Sequence, residues 1–435
     1  MKLCPYPFSR LQTSNYADRF DKLRGTFLPC VPSWFNKEYF DIESEENLDD
    51  IWNGKQAIEL RKRMYEGDFS FCDRAACQIP LYSLDELADR RIVFAETPIP
   101  EENIEAMKNK NPVMPSGPSS LYLTSDFACN LKCPICRSEV IPNATPTTSA
   151  IEEYDYVHRA KESLEVIKMA NGGEVFYSTL QRKLLKSFNS TDFPKLRRVH
   201  IVSNGTLFNK KAFKDLAPGT HFIKDVNISL DAGTKEVYEK VRGPYWEQVV
   251  ENVHWLGELR KSGQLDFYSF HIIITKDNYR DIPQMIELAN KCNVDRVLIQ
   301  PYLKGEGQGY KVYEEQAIHL TTHPEYREFI TLLSKYKDEP VLYTYIDLPG
   351  FDSKISKDVE IQKAFVCYLR ADEFLKLNQL ETALGYAKES IEISPREYAY
   401  YKLWEILKAM NKPEEAEEAF QIAERMRIEM IKNEK

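Results

Sequence analysis

The 435-residue chain is 43% hydrophobic and 29% charged, with a formal net charge of −9. Its length exceeds one ordinary core and predicts about two or three domains; the composition excludes a disordered chain, and the acidic balance argues against a general nucleic-acid binder. No stretch approaches the ~20 apolar residues of a membrane span, and MKLCPYPFSRLQ lacks the apolar core of a signal peptide, so a cytoplasmic protein is expected.

Taken in chain order, residues 1–80 carry Cys4, Cys30, Cys72 and Cys77, and residues 81–117 read as a linker ending in NPVMPSGPSS. Residues 118–302 then alternate short apolar runs with amphipathic stretches. LYLTS (121–125) is a strand candidate, 150–170 a helix with Ile151, Tyr154, Val157, Leu164 and Ile167 on its apolar side, and EVFYS (174–178) a second strand. A helix near 180–188 follows, then strands in RVHIVSNG (198–205) and KDVNISLD (224–231) and a helix around 246–260. FYSFHIIIT (267–275), the helical DIPQMIELANKC and DRVLIQPY (295–302) close the series. Such βα repetition implies a parallel sheet with right-handed crossovers, either an open doubly wound sheet or a partial barrel, and places a ligand at the C-terminal ends of the strands. In the connecting segment 303–360, GEGQGY is a loop and HPEYREFITLLSKY a helix.

Residues 361–435 read as wholly helical, with a weak internal repeat. NQLETALGYAKESIEISP (378–395) is echoed by NKPEEAEEAFQIAERM (411–426), aligning Ala383 with Ala416 and Ala387 with Phe420. That offset fits the tetratricopeptide (TPR) period, with an ordinary helical hairpin as the alternative.

Nine cysteines in a reducing compartment are poor disulfide candidates. Seven fall in two groups, which suits metal or cluster ligation. Cys129, Cys133 and Cys136 lie in DFACNLKCPICRSE, directly after the first strand of the alternating region. A structural zinc site normally takes four protein ligands, and no nearby His or Cys completes this set. A [4Fe–4S] cubane has four irons, so three thiolates leave one iron open to a substrate.

The spacing C-x3-C-x2-C resembles the signature of the radical S-adenosylmethionine (radical SAM) enzymes. Across residues 118–302 that resemblance implies an α/β partial (β/α)6 TIM-like barrel, a [4Fe–4S] cluster on Cys129, Cys133 and Cys136, and S-adenosylmethionine bound at the open iron. It further implies reductive cleavage of the sulfonium and a 5′-deoxyadenosyl radical that removes a hydrogen from the substrate. Gly172, Gly173 and Glu174 resemble the family's glycine–glycine–glutamate motif, which holds the cofactor's amino group, although Val175 stands where proline is usual. Ser203 and Asn204, in SNG, resemble the ribose side. Ser229 and Asp231 end the next strand at the same rim, and Arg242 resembles an arginine that pairs with the cofactor carboxylate. Ile135 departs from the family, which usually has an aromatic residue before the third cysteine. The resemblance names no catalytic acid or base; Gln300, Tyr302 and His271 are pocket candidates that strand composition equally explains as core.

The N-terminal cysteine group, with Ile51-Trp52-Asn53-Gly54 followed by Leu60-Arg61 and Cys72, resembles the SPASM and Twitch extensions that carry auxiliary clusters. That resemblance implies one second [4Fe–4S] cluster on Cys4, Cys30, Cys72 and Cys77, relaying electrons; a structural zinc on the same four is the rival. The expected organisation is therefore a SPASM/Twitch-like domain (1–80), a linker (81–117), the radical SAM barrel (118–302), a connecting segment (303–360) and an all-helical TPR-like domain (361–435). The expected function is a radical SAM oxidoreductase of maturase type acting on a peptide or protein side chain, fed by a reductant such as flavodoxin or ferredoxin. The tail is expected to take a protein partner, with no nucleic acid or membrane involved. A sugar or small-molecule substrate is the second enzyme reading, and a non-catalytic cluster- or zinc-binding interaction protein is a reading of another class.

Overall fold

The computed structural model describes residues 2–13, 27–28, 48–69, 71–72, 81–88, 98–137, 139–143, 148–169, 172–302, 310–344, 346, 364, 367–368, 370–372, 374–375 and 378–433. The chain divides into two units: residues 1–230, 242–270 and 289–295, and residues 231–241, 271–288 and 296–435.

The first unit is built on a mainly parallel sheet. Near the N-terminus, β1 (Lys2–Leu3), β2 (Arg10–Thr13) and β3 (Phe27–Leu28) precede the helix Lys55–Tyr65 and β4 (Tyr82–Ser83), and β1 pairs antiparallel with β4. The alternating region supplies β5 (Ser120–Leu123), β6 (Val166–Met169), β7 (Arg198–Ser203) and β8 (Ile223–Ser229), and β9 (Phe267–Ile274) begins in this unit. Strands β5 to β8 pair in sequence order, all parallel. β2 extends this sheet on the other side, parallel to β5 with Arg10 opposite Ser120, and carries β3 antiparallel at its edge. The N-terminal segment is thus woven into the sheet of the alternating region.

Alternation along the strands separates two faces. Leu121, Ile167, Val199, Ile201, Val226 and Ile228 are almost fully buried on one. Helices cover that face: Trp246–Lys261 buries Val249, Val253 and Leu256, and the Tyr268 hydroxyl donates to the Val253 carbonyl at 3.0 Å. The other face is polar. The register aligns Gln12, Tyr122, Lys168, His200 and Asp225 across β2, β5, β6, β7 and β8.

Two expectations need correction here. The helix expected over 150–170 ends at Arg159, and Val166–Met169 is strand β6. The run EVFYS is not a strand: its residues form a turn leading into the helix Thr179–Ser187. The apolar periodicity runs from Val157 in the helix through Leu164 in the intervening segment to Ile167 in the strand, a change that spacing alone does not separate.

The linker-like stretch 112–116 is gripped. Arg61, fully buried, donates from Nε to the Pro7 carbonyl (2.8 Å) and from Nη1 to Pro112 (3.0 Å) and Asn53 Oδ1 (3.1 Å), and from Nη2 to Trp52 (2.8 Å). Asn53 exchanges two hydrogen bonds with Met114, both 2.9 Å, and Trp52 Nε1 donates to Ser116 at 2.8 Å. Burial pulls the Arg61 pKa down to about 9, so the guanidinium is still charged at neutral pH.

In the second unit, β10 (Arg296–Pro301) pairs parallel with β11 (Leu342–Thr344). The expected helices at 282–291 and 326–334 are present. Towards the C-terminus, Leu380–Ile393, Glu397–Ala409 and Pro413–Asn433 pack as consecutive helices. Their shared core includes Ala383, Ala387, Ile406, Leu407, Ala416 and Ala419. Among the described residues no helix is long and apolar enough to cross a membrane.

Candidate cofactor-binding site

The site grows from the loop after β5. Ser125 and Thr124 donate backbone N–H groups to the Glu153 carboxylate, the Thr124 bond at 2.6 Å, which fixes where the strand ends. Asp126 then caps the turn by accepting the Ala128 N–H at 3.0 Å and also accepts the Ser178 hydroxyl. Cys129 forms an isolated bridge with Ile141, closing the cysteine loop at its base.

Within the loop, Cys129 and Cys133 are buried and pack with Leu131 and Tyr245, whereas Cys136 is exposed. Two guanidinium groups attend the thiols. Arg137 Nε lies 3.4 Å from Cys136 Sγ, and Arg242 Nη1 lies 3.7 Å from Cys133 Sγ. Arg137 also donates to the carbonyls of Phe127 (2.9 Å) and Gly172 (2.8 Å), so it ties the cysteine loop to the paired glycines. Asn204 Nδ2 approaches Cys129 Sγ at 3.8 Å and donates to Asn130 Oδ1 at 3.1 Å. Burial raises the Cys129 thiol above its ordinary value; the Leu131 N–H and Arg137 pull the other way.

The glycine pair is dictated by contact. A Cβ on Gly172 would stand 2.5 Å from the Thr124 carbonyl oxygen, and one on Gly173 would stand 2.4 Å from that of Ala128. Both neighbours are backbone and cannot swing aside. This close approach delivers Glu174, which is 1% exposed and donates its own N–H to Ala128 at 2.8 Å. The Glu174 carboxylate accepts the Asn204 N–H (2.6 Å), the Ser203 hydroxyl (2.8 Å) and the Phe176 N–H (3.2 Å). Burial raises its pKa, against the pull of these hydrogen bonds and of Arg242.

The structure therefore brings Cys129, Cys133, Cys136, Gly172, Gly173, Glu174, Ser203, Asn204 and Arg242 into one neighbourhood. Ser229 ends β8 half-buried. Asp231 belongs to the second unit, where its carboxylate accepts the Ile273 N–H at 2.7 Å in a left-handed backbone conformation (φ 59°). Of the N-terminal cysteines, Cys4 is buried beyond β1 and Cys72 is half-buried, while Cys30 and Cys77 lie outside the described residues. Arg137, Asp126, Glu153 and Ser178 escaped the sequence reading. Only Arg137, a cation directly after the third cysteine, left a signal there.

The donor set fits an iron–sulfur group. It offers soft thiols flanked by cations, with no carboxylate between Cys129 and Cys136 to suit a hard cation. Among the described residues no three His, Cys, Asp or Glu side chains converge as a single metal ion requires. A cubane spreads its thiolates over separate irons and does not need that convergence.

Comparison with known proteins agrees with the site's location. Residues 127–289 match the family model described as Radical SAM superfamily. The antilisterial bacteriocin subtilosin biosynthesis protein AlbA of Bacillus subtilis (strain 168) is 31% identical over 129 residues, which is 29% of this chain and 28% of AlbA. Streptococcus suis SuiB bound to S-adenosylmethionine aligns at TM-score 0.38 and 16% identity, covering 73% of this chain and 69% of SuiB. Native anSMEcpe with bound AdoMet and the Cp18Cys peptide aligns at TM-score 0.31 and 18% identity, covering 50% of this chain and 58% of that one. The match to the Radical SAM superfamily model spans residues 127–289, and Cys129, Cys133, Cys136, the paired glycines, Glu174, Asn204 and Arg242 all lie inside it.

Proposed function

We propose that the chain is a radical SAM enzyme that modifies a peptide or protein side chain. The observation that carries this reading is Glu174: a buried carboxylate, seated by two glycines against the cysteine loop and sharing Asn204 with Cys129. Cys129, Cys133 and Cys136 would hold the [4Fe–4S] cluster, whose chemistry when bound is one-electron reductive cleavage of S-adenosylmethionine to a hydrogen-abstracting radical. Glu174 supplies negative charge for the cofactor's ammonium, and Ser203 and Asn204 orient that carboxylate. Arg242, whose Nη1 lies 3.7 Å from Cys133 Sγ, would pair with the cofactor's carboxylate. Ser229 is a further cofactor contact on this reading.

The peptide substrate draws on the local identity with AlbA, a bacteriocin biosynthesis protein. The packed C-terminal helices, read as TPR-like, would dock a protein partner. Cys4, Cys30, Cys72 and Cys77 would hold an auxiliary cluster that passes electrons, with flavodoxin or ferredoxin as reductant. The domain boundaries at 80, 117, 302 and 360 belong to the same proposal.

Anaerobic reconstitution with iron and sulfide counting, followed by a dithionite-driven assay for 5′-deoxyadenosine, tests the reading. Wild type should yield the nucleoside and Cys133→Ala should not; product from Cys133→Ala would overturn it.

A further inference from the structure

Two arginines stand on the polar face of the first unit's sheet in very different circumstances. Arg198, on β7, meets two carboxylates, Asp225 at 2.5 Å and Asp266 at 2.8 Å. Arg10, on β2, is 2% exposed and has no carboxylate partner among the described residues. Its contacts are neutral. The guanidinium lies 3.5 Å from the Tyr122 ring centroid and 4.2 Å from that of Tyr6, and Nη2 donates to Gln12 Oε1. Its Nε, like that of Arg198, is buried without a hydrogen-bond partner among the described residues. A second cation, Lys168 Nζ, sits 4.8 Å from the centroid of the same Tyr122 ring.

Taking a guanidinium out of water is costly, and aromatic faces recover only part of that cost. The planar fork of donors matches a carboxylate, and one donor is left unspent. The row is also well placed. Gln12, Tyr122, Lys168 and His200 align across β2, β5, β6 and β7, and β5 and β6 are the strands that lead into Cys129 and Glu174. The polar row continues through His200, whose Nε2 is 2.8 Å from Asn227 Nδ2, while Ser269 donates to Asn227 Oδ1.

We infer that Arg10 and Lys168, gathered around Tyr122, form a subsite for a carboxylate of the substrate, so that this enzyme prefers an acidic peptide. The inference rests on the radical SAM reading and names the chemistry of its substrate. The carboxylate is an Asp or Glu side chain or a free C-terminus; both present the same fork to Arg10.

The test uses the whole 435-residue chain, anaerobically reconstituted, and a library of octapeptides. Each peptide is made with Glu or with Gln at one position, and with a free or an amidated C-terminus, and binding is read by fluorescence polarisation. Acidic members should bind at least about tenfold tighter than their neutral twins, the Glu/Gln and acid/amide arms telling which carboxylate is read. Arg10→Gln should erase that ratio and Arg10→Lys should keep part of it, with melting curves confirming folded protein. Should Arg10→Gln fail to fold, Lys168→Gln must reduce the same ratio. Equal binding of acidic and neutral twins, no binding of any acidic peptide, or a ratio untouched in every folded variant overturns the subsite. Iron and sulfide content of the wild type is scored separately: its failure sinks the family reading, whereas a loaded protein without charge preference sinks only the subsite.

Discussion

The Glu174 carboxylate accepts the backbone N–H of Asn204 at 2.6 Å, joining the turn after β6 to the end of β7, and Asn204 in turn reaches Cys129. One buried charge thus connects three loops that are distant in sequence. Because burial raises the Glu174 pKa, the neutral acid persists further up the pH scale than for an exposed glutamate. In the ligand-free protein this sign means that stability is fully present below the unfolded pKa and declines as pH rises through the folded one.

Cofactor binding should run the opposite way, since an ammonium attracts only the carboxylate. Affinity for S-adenosylmethionine, read by calorimetry on the reconstituted protein, should climb as pH rises through the weakly acidic range. Glu174→Gln should flatten that climb and weaken binding by roughly 10- to 100-fold, the worth of one charge-assisted hydrogen bond. A variant that binds as tightly as wild type would remove Glu174 from the site.

Gly173→Ala should destabilise the first unit by about 1–3 kcal/mol, because its methyl meets the Ala128 carbonyl and neither backbone can yield cheaply. Urea titration should show a lower midpoint and, after reconstitution, less bound iron, since the displaced backbone is that of the cysteine loop. Gly385→Ala is the counterpart. It lies inside the helix Leu380–Ile393 with nothing within 4 Å of the added methyl, and should stabilise by about 0.5–1 kcal/mol.

How far these relationships could be read beforehand follows from which signals are local. The cysteine spacing and the order of Gly172, Glu174, Asn204 and Arg242 are sequence patterns, and the structure assembles those residues. Strand β6 was hidden because VIKM is short and continues a helical spacing, while EVFYS imitated a strand through its apolar residues. Phe176 is in fact a turn residue whose ring stacks on Phe208 at 4.0 Å. β2 and β11 escaped because strands of three or four residues carry little periodicity. Glu153 acts through backbone groups of another segment and Asp126 through its own turn and the Ser178 hydroxyl, and pairings of that kind leave no spacing to detect.

His319 gives the second unit a pH dependence of its own. Burial, helped by the nearby His323, pulls its pKa down to about 4, and Nδ1 has no hydrogen-bond partner among the described residues. The fold holds the neutral ring, so the unfolded chain takes up the proton first. Stability should therefore fall as pH drops from about 6.5 towards 4, by about 2–3 kcal/mol at most. Urea midpoints measured across that window should slope downward in wild type and flatten in His319→Gln. An unchanged slope would assign the acid sensitivity to other groups.

Arg61 separates a structural role for the Trp52–Arg61 segment from a role in holding a cluster. Its fork satisfies the carbonyls of Pro7, Trp52 and Pro112 together with the Asn53 side chain, and the guanidinium rests 4.6 Å from the Trp52 ring centroid. A lysine carries the same charge but only one nitrogen, so Arg61→Lys leaves buried carbonyls without donors. The expected loss is about 3–5 kcal/mol, the range for breaking a buried hydrogen-bond network. If the segment is a latch on residues 112–116, that loss appears equally in protein stripped of iron by a chelator. If instead it serves mainly to shape a cluster site at Cys72, the stripped protein should tolerate Arg61→Lys and only the loaded protein should suffer. The contacts to Pro7 and Pro112, which involve no cysteine, favour the first outcome, and matched urea titrations of the stripped and loaded forms decide between them.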